Sequence, residues 1–314
     1  MPTTTALGSL REKSVVPPTT TRIPQPVTVP CATDAPRMPL PQNTLLRWNL
    51  FLACMHAALA ITTCAVGKLD LGVDVYKTRI DLQYANGSTR DGAWELVPVY
   101  ERSGTLPFTW LVVLFFVISS VFHLLNCTLL RTLYLTQLSL CYTPTRWVEY
   151  SFSAPIMIVL ISYTLGVRNR DVLLAEATLV LVTMPFGYWT ETLARPVSLD
   201  DWNLPLVQRL LPWVVGHIPQ TVAWLFVILQ FYDGHDTKDR APTFVHVILW
   251  GELVLFFSFG GAALLSQWTS PRFFYRGEIM FQVLSLVSKG LLGILLLVNV
   301  LMLQRFDDMY DDDA

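Results

Sequence analysis

Lys289 is the residue of this sequence with the clearest chemical potential, because it lies deep in the last apolar stretch. It is the only lysine inside any such stretch, 11 residues from Glu278 and 14 from Leu303. At 1.5 Å per helical residue it would lie roughly 16 Å from one end of a helix, too far for its side chain to reach water. An ionisable group at that depth is a candidate functional site, and a buried amine is a natural site for a Schiff base. The alternative is a lysine that pairs with a buried carboxylate only as a folding contact.

Glu149 is the carboxylate best placed to neutralise this charge. It follows Arg146 by three residues near the start of another apolar stretch, so the two side chains share a helix face. A buried cation requires a paired anion, and an opposite charge nearby favours the charged form of each partner. The spacing predicts that Glu149 is a counterion for Lys289. The alternative is an Arg146–Glu149 ion pair that anchors the helix at the membrane edge.

Two histidines and a serine belong to the same half of the predicted bundle. His56 is about nine residues into the first apolar stretch, and His123 lies near the end of the second. Ser285 is one turn before Lys289 on the same face. Histidine titrates near neutral pH, so His56 and His123 are candidate proton acceptors in a cavity that also includes Arg146. Taken singly, each histidine is also typical of a hydrogen-bonded residue in a bundle.

Two further carboxylates, Glu252 and Glu176, lie inside apolar stretches. Glu252 is about ten residues into the sixth stretch, and Glu176 is five residues into the fourth. Carboxylates inside a bilayer are costly and are typical of proton relays. With Glu149 they are candidates for a discontinuous proton path. The alternative is that Glu176 is interfacial and that Glu252 is hydrogen-bonded within the bundle.

Seven apolar stretches must position these side chains, and each has the length of about 20 residues that a spanning helix needs. The whole chain is 53% hydrophobic and 15% charged, whereas a soluble domain is roughly 25% charged. The sequence therefore predicts an all-α membrane protein, a bundle of seven transmembrane helices surrounded by lipid. The stretches are approximately 47–66, 106–130, 146–166, 171–190, 206–231, 243–267 and 278–303.

The remaining segments divide the chain into three regions. Residues 1–43 contain nine prolines and no apolar run, which indicates a disordered tail. Residues 44–304 form the predicted membrane domain, and residues 305–314 form an acidic C-terminal tail. In the long connection 67–105, two alternating runs flank Asn86-Gly87, which predicts a small β-hairpin after the first helix.

Several functional classes are excluded. A net charge of −2 argues against nucleic-acid binding. The sequence contains no CxxC, HExxH, Walker or dinucleotide-binding motif, so we expect no metal site, NTPase or Rossmann enzyme. A cytoplasmic N-terminus and an extracellular C-terminus are favoured, because the basic residues on the other side lie largely in the long loop, which the positive-inside rule discounts.

These residues resemble the heliorhodopsins, a family of retinal-binding, seven-helix, microbial-type rhodopsins. The resemblance covers about 47–303 and lies chiefly in the stretch Arg146-Trp-Val-Glu149-Tyr-Ser-Phe-Ser-Ala and in Ser285 four residues before Lys289. The histidines in the first two stretches and the large loop after the first also match. Animal opsins carry Asn-Pro-x-x-Tyr after their lysine, and this motif does not follow Lys289. Ser285 stands where common microbial pumps carry a second acid.

The resemblance implies all-trans retinal bound to Lys289 as a protonated Schiff base, with Glu149 as its counterion. It also implies an inverted topology with a cytoplasmic N-terminus, a homodimer, and a polar cavity around His56 and His123. By the same resemblance, side chains from several helices would line the retinal: Tyr150, Met184, Trp213 and Phe257.

The predicted function is a light-activated photoreceptor that is not an enzyme and that signals through photoisomerisation. The sequence does not identify its signalling partner. One alternative is a light-gated proton conductance that uses Glu149, Glu252 and Glu176. Another is a non-photochemical transporter or enzyme that uses a free Lys289.

Overall fold

The computed structural model describes residues 36–84, 94–233 and 241–301. Seven helices of 20 to 26 residues dominate this described part of the chain. They are α1 Gln42–Val66, α2 Phe108–Cys127, α3 Pro144–Thr164, α4 Arg170–Leu193, α5 Leu211–Asp233, α6 Thr243–Trp268 and α7 Phe274–Leu296. The predicted seven-helix bundle is confirmed.

Six of these helical segments are long and apolar enough to cross a membrane, judged on the described residues alone. The seventh long helix is α3, which has 21 residues and carries both Arg146 and Glu149. The protein is therefore a multi-pass membrane protein, and α3, the long helix outside these six segments, carries two of its buried charged residues.

Local sequence signals set the limits of α3 and α4. Pro144 opens α3, where its missing N–H is not needed by the helix. Gly166, with φ of +96°, makes the turn that follows α3. Asn169 then caps α4 by accepting bonds from the N–H groups of Asp171 and Val172, as short polar side chains do at helix starts. These residues make the turn between α3 and α4 short.

The bundle has two ends, which we call the hairpin side and the opposite side. On the hairpin side, Lys68 N–H bonds to the carbonyl of Leu301, which joins the α1–α2 connection to the end of α7. On the opposite side, a short helix Arg131–Ser139 connects α2 to α3. The hydropathy pattern did not predict this short helix. Its Tyr134 and Leu138 pack with Met38, Leu45 and Phe274 in a small apolar cluster.

Two antiparallel strands follow α1, as predicted, although they are longer than the alternating residues suggested. Strand β1 spans Gly72–Tyr84 and β2 spans Trp94–Pro107, with Gly72 opposite Pro107 and Tyr84 opposite Trp94. The base of β1 docks on the α3–α4 turn, because Tyr76 N–H bonds to the carbonyl of Arg168.

Some predicted features lie outside the described residues. They are the Asn86-Gly87 turn of the hairpin, the acidic tail 305–314 and most of the tail 1–43, since the description begins at residue 36. Helix α1 begins at Gln42, five residues before the apolar stretch that predicted it.

Candidate functional site

Lys289 and Glu149 form a buried ion pair in the middle of the bundle. The ammonium Nζ lies 2.7 Å from Glu149 Oε1, and the side chains are only 3% and 5% exposed. Both residues were identified from the sequence. The geometry brings them together across α7 and α3, while Arg146 takes other partners.

Ser119 of α2 completes this pair and was not identified from the sequence. Its hydroxyl donates to Glu149 Oε1 at 2.7 Å and accepts a short bond from Lys289 Nζ. Ser119 also lies within 3.2 Å of the Phe115 carbonyl, the usual partner of a helical serine. One signal was available, because Ser119 precedes His123 by four residues and so shares its helix face.

A largely apolar cavity opens beside Lys289 and extends between α3, α4, α5 and α6. Its empty volume, including the space open at its mouth, is about 780 Å³. Ser285 lies in its wall beside Lys289. The bulky side chains of the wall are Trp147, Tyr150, Met157, Met184, Trp213, Phe256, Phe259 and Phe281.

Three of the four residues expected along a retinal lie in this wall, and Phe257 does not. Tyr150, Met184 and Trp213 line the cavity, whereas Phe257 packs against the apolar core. Successive helical residues are rotated by about 100°, so the cavity face of α6 carries Phe256 and Phe259 instead. The expectation for Phe257 is corrected to these neighbours.

His56 of α1 and His123 of α2 stack on each other. Their rings are parallel within 1° with centroids 5.7 Å apart. His123 Nδ1 lies 3.0 Å from Asn49 Oδ1, which can only accept, so Nδ1 carries the hydrogen. His123 Nε2 and both ring nitrogens of His56 have no hydrogen-bond partner among the described residues.

Other buried polar atoms near the histidines also lack partners in the described part of the chain. They include Asn126 Oδ1, Gln282 Oε1 and the Ser285 hydroxyl. Buried polar groups are nearly always hydrogen-bonded, to ordered water if not to protein. Ordered water next to the Lys289–Glu149 pair would satisfy these atoms.

Arg146 belongs to a second ion cluster and does not pair with Glu149. Its guanidinium bonds to Glu191 of α4 and to Glu278 of α7, and all three side chains are at least 94% buried. It also lies 3.9 Å from the ring centroid of Phe281. The alternative of an Arg146–Glu149 pair at the membrane edge is not present; Arg146 instead bridges three helices.

A line of hydrogen bonds connects the histidine pair to this second cluster. Asn49, the partner of His123, donates to Tyr134 Oη at 3.3 Å. Tyr134 donates to Glu278 Oε1 at 3.3 Å. Arg146 is thus connected to the histidines through Glu278, rather than lying beside them.

The two remaining carboxylates lie in different surroundings. Glu252 Oε2 accepts a 2.6 Å bond from the Ser288 hydroxyl, next to Lys289 in the chain, and its Oε1 has no partner among the described residues. Glu176 is fully buried in α4 beside Ser162. Neither pairs with Glu149.

Comparisons with known proteins agree with this fold. A model of the heliorhodopsin family matches residues 45–301. The crystallographic structure of xanthorhodopsin, described as a light-driven ion pump with dual chromophore, has a TM-score of 0.55 and 12% identity, covering 84% of this chain and 95% of that one. A light-driven proton pump from Leptosphaeria maculans has a TM-score of 0.41 and 11% identity, covering 82% and 91%. No curated protein sequence matches the chain.

Proposed function

Because the chain belongs to the heliorhodopsin family, we propose that it is a light-activated photoreceptor that holds all-trans retinal on Lys289. The observation that carries this proposal is the buried Lys289–Glu149 pair at 2.7 Å, which faces a cavity with aromatic walls. An amine, a counterion and an apolar cavity are the three parts that a protonated retinal Schiff base requires.

The residues of the cavity fit a polyene. Trp147, Tyr150, Phe259 and Phe281 form a continuous group of rings, with centroids 5.4 to 6.5 Å apart. Aromatic faces and edges at such distances pack well against a flat conjugated chain. Retinal bound there would supply visible absorption and a light-driven change of shape.

Glu149 and Ser119 would hold the proton of the Schiff base. The carboxylate at 2.7 Å supplies the opposite charge, and the Ser119 hydroxyl bonds to the same carboxylate oxygen. An opposite charge at this distance favours the protonated form of the nitrogen. With a single carboxylate in contact, the charge of the site depends on one residue.

His56 and His123 would accept or share that proton when the contact with Glu149 is broken. They are buried and linked to the opposite side through Asn49, Tyr134 and Glu278. A neutral imidazole nitrogen without a hydrogen can accept a proton. In this proposal a proton entering the histidine cavity changes the charge next to the Arg146 cluster, which joins α3, α4 and α7.

We further propose that the opposite side faces the cytoplasm and that the protein is a homodimer. The connections on that side carry Arg131, Arg195, Arg209 and Arg272, and Arg276 lies in the first turn of α7, in accordance with the positive-inside rule. The distal part of the hairpin exposes apolar side chains, which supports an interface between copies. Tag accessibility in intact cells tests the orientation, and a C-terminal tag that is reachable only after permeabilisation contradicts it.

A light-gated proton conductance is the second candidate, because Glu252 bonds to Ser288 next to Lys289. This contact would give a proton an acceptor on α6 that a sensor does not need. Glu176 on α4 is a further candidate, although it makes no hydrogen bond with Glu252.

The proposed function is tested by adding all-trans retinal to the purified protein and recording a visible spectrum. We expect a visible band that hydroxylamine bleaches in the wild type and in Lys77→Ala, a change in the exposed hairpin. Lys289→Ala should give no such band, since no amine remains to form the Schiff base. A normal pigment in Lys289→Ala would refute the proposal.

A further inference from the structure

The end of the cavity farthest from Lys289 carries two polar side chains, His217 and Gln220 of α5. Both belong to the cavity wall. Helix α5 packs chiefly on α4 and also contacts α6, whereas Lys289 lies on α7, on the other side of α6. The α5 wall therefore faces the part of a ligand that is remote from its attachment at Lys289.

His217 is held in one orientation with an acceptor nitrogen available. Its Nδ1 lies 2.7 Å from the Trp213 carbonyl, and a carbonyl only accepts, so Nδ1 is the donor and Nε2 of the neutral ring is an acceptor. Trp213 also packs on the ring, with centroids 4.1 Å apart. Nε2 makes no hydrogen bond within the described residues.

Gly260 of α6 provides the space that this ring occupies. A Cβ atom at position 260 would lie 2.2 Å from His217 Nε2, so any side chain there would displace the imidazole. The Gly260 carbonyl also accepts a 2.9 Å bond from Trp213 Nε1. The absence of a side chain at Gly260 thus lets a polar imidazole lie in a wall that is otherwise mostly apolar.

Gln220 is buried one turn beyond His217 and is also without a partner. Its side chain is 6% exposed, and it makes no hydrogen bond with any described residue. Positions i and i+3 of a helix are neighbours about 5–6 Å apart at Cβ. A purely hydrocarbon end group at this place would leave the amide unsatisfied, which buried polar groups avoid.

We infer that this end of the cavity selects a retinal whose ring carries an oxygen substituent, such as a ring hydroxyl. The hydroxyl would donate to His217 Nε2 and accept from the Gln220 amide, so that both groups are satisfied by one ligand atom. This inference rests on the proposed function, because it assumes a retinal attached to Lys289. It concerns the other end of that ligand and leaves the Schiff-base site unchanged.

The test is a competition between all-trans-retinal and all-trans-3-hydroxyretinal for the purified apoprotein, followed by extraction and chromatography of the two bound aldehydes. We expect the wild type to prefer the hydroxylated aldehyde about tenfold or more, the effect of one satisfied hydrogen bond. His217→Phe and Gln220→Leu should each bring the ratio close to one. Thr221→Val is the matched control, because Thr221 is exposed and bonds only to the His217 carbonyl, and it should keep the wild-type ratio.

The outcomes separate the two proposals. A visible pigment with equal occupancy by both aldehydes, or a preference that survives both His217→Phe and Gln220→Leu, overturns the inference and leaves the photoreceptor standing. Failure of the wild type to form a pigment with either aldehyde overturns both. Pigment formation with plain retinal shows that each variant is folded, and Gln220→Met replaces Gln220→Leu if the latter forms none.

Discussion

Two clusters of buried charge lie one helical turn apart on α3, and they are built differently. In the first, Glu149 meets Lys289, and Ser119 is the third member. In the second, Arg146 meets two carboxylates, Glu191 and Glu278. Both clusters are almost completely buried, so the difference between them is one of composition and hydrogen bonding.

In the second cluster, both oxygens of each carboxylate accept hydrogen bonds, while Arg146 Nε has no partner among the described residues. Glu278 Oε1 accepts from Tyr134 and Gln282 while Oε2 accepts from Arg146. Glu191 Oε1 also accepts from Arg146, and its Oε2 accepts from the N–H of Thr143. Every carboxylate oxygen has a donor, which is the arrangement that makes a buried ion cluster rigid and costly to break.

The first cluster is sparse and borders a cavity. Both bonds to Glu149 from Lys289 and Ser119 fall on a single oxygen, Oε1. The nearby histidines have ring nitrogens without partners among the described residues. A charge held by few bonds beside unsatisfied acceptors can change its protonation at little structural cost. The comparison suggests that one turn of α3 stabilises the bundle and the next carries the chemistry.

The largest effect expected from this contrast is the loss of stability in Arg146→Met. Removing one partner from a buried ion cluster costs about 3–5 kcal/mol, and here two carboxylates lose their cation. The free energy of unfolding, measured by denaturant titration of the pigment, should fall by that amount while the visible band moves little. Arg170→Met removes an exposed ion pair with Asp171 and should change stability by less than about 1 kcal/mol. A large spectral shift with unchanged stability in Arg146→Met would show that the two clusters are not separate in role.

Glu149→Gln should have the opposite profile, a large spectral effect. Removing a close opposite charge should lower the proton affinity of the Schiff base roughly 10- to 1,000-fold. The band should shift strongly to the red, or the chromophore should lose its proton and absorb in the near ultraviolet at neutral pH. An absorption spectrum recorded across a pH series measures this, with Glu101→Gln on the exposed hairpin as control. An unchanged spectrum and titration would assign the counterion to another acid, with Glu252 the nearest candidate.

The sequence was sufficient for the ion pair of the first cluster, but not for its Ser119 or for the second cluster. Lys289 and Glu149 stand out because a charge inside an apolar stretch is rare, so their types alone limit the choice of partner. Glu191 and Glu278 lie at the ends of their apolar stretches, where a carboxylate usually faces water. Only the rotation and tilt of α4 and α7 direct them inward to Arg146. Helix rotation also decides that Phe256 and Phe259 line the cavity while Phe257 does not.

Ser119→Ala should have a smaller effect than Glu149→Gln, because the carboxylate charge remains. A hydrogen bond to a charged group contributes about 1.5–3 kcal/mol, so the band should move in the same direction but less far. Ser120→Ala is the matched control, since the Ser120 hydroxyl bonds to the Ala53 carbonyl and not to the ion pair. Equal shifts in the two variants would show that Ser119 acts on the packing of α2 rather than on the charge of the site.

The smallest effect is expected at Glu252, and it decides between a sensor and a conductance. Glu252 contacts the first cluster only through Ser288, so Glu252→Gln should shift the band less than Ser119→Ala. For a sensor, whole-cell voltage clamp under illumination at two external pH values should give no photocurrent from a well-expressed, coloured wild type. The bond to Ser288 then only satisfies a buried carboxylate, whose insertion costs about 2.5–3.5 kcal/mol. A pH-dependent photocurrent that Glu252→Gln abolishes would replace the sensor by a proton conductance through α6. A photocurrent that survives Glu252→Gln would keep the conductance and exclude Glu252 from its path.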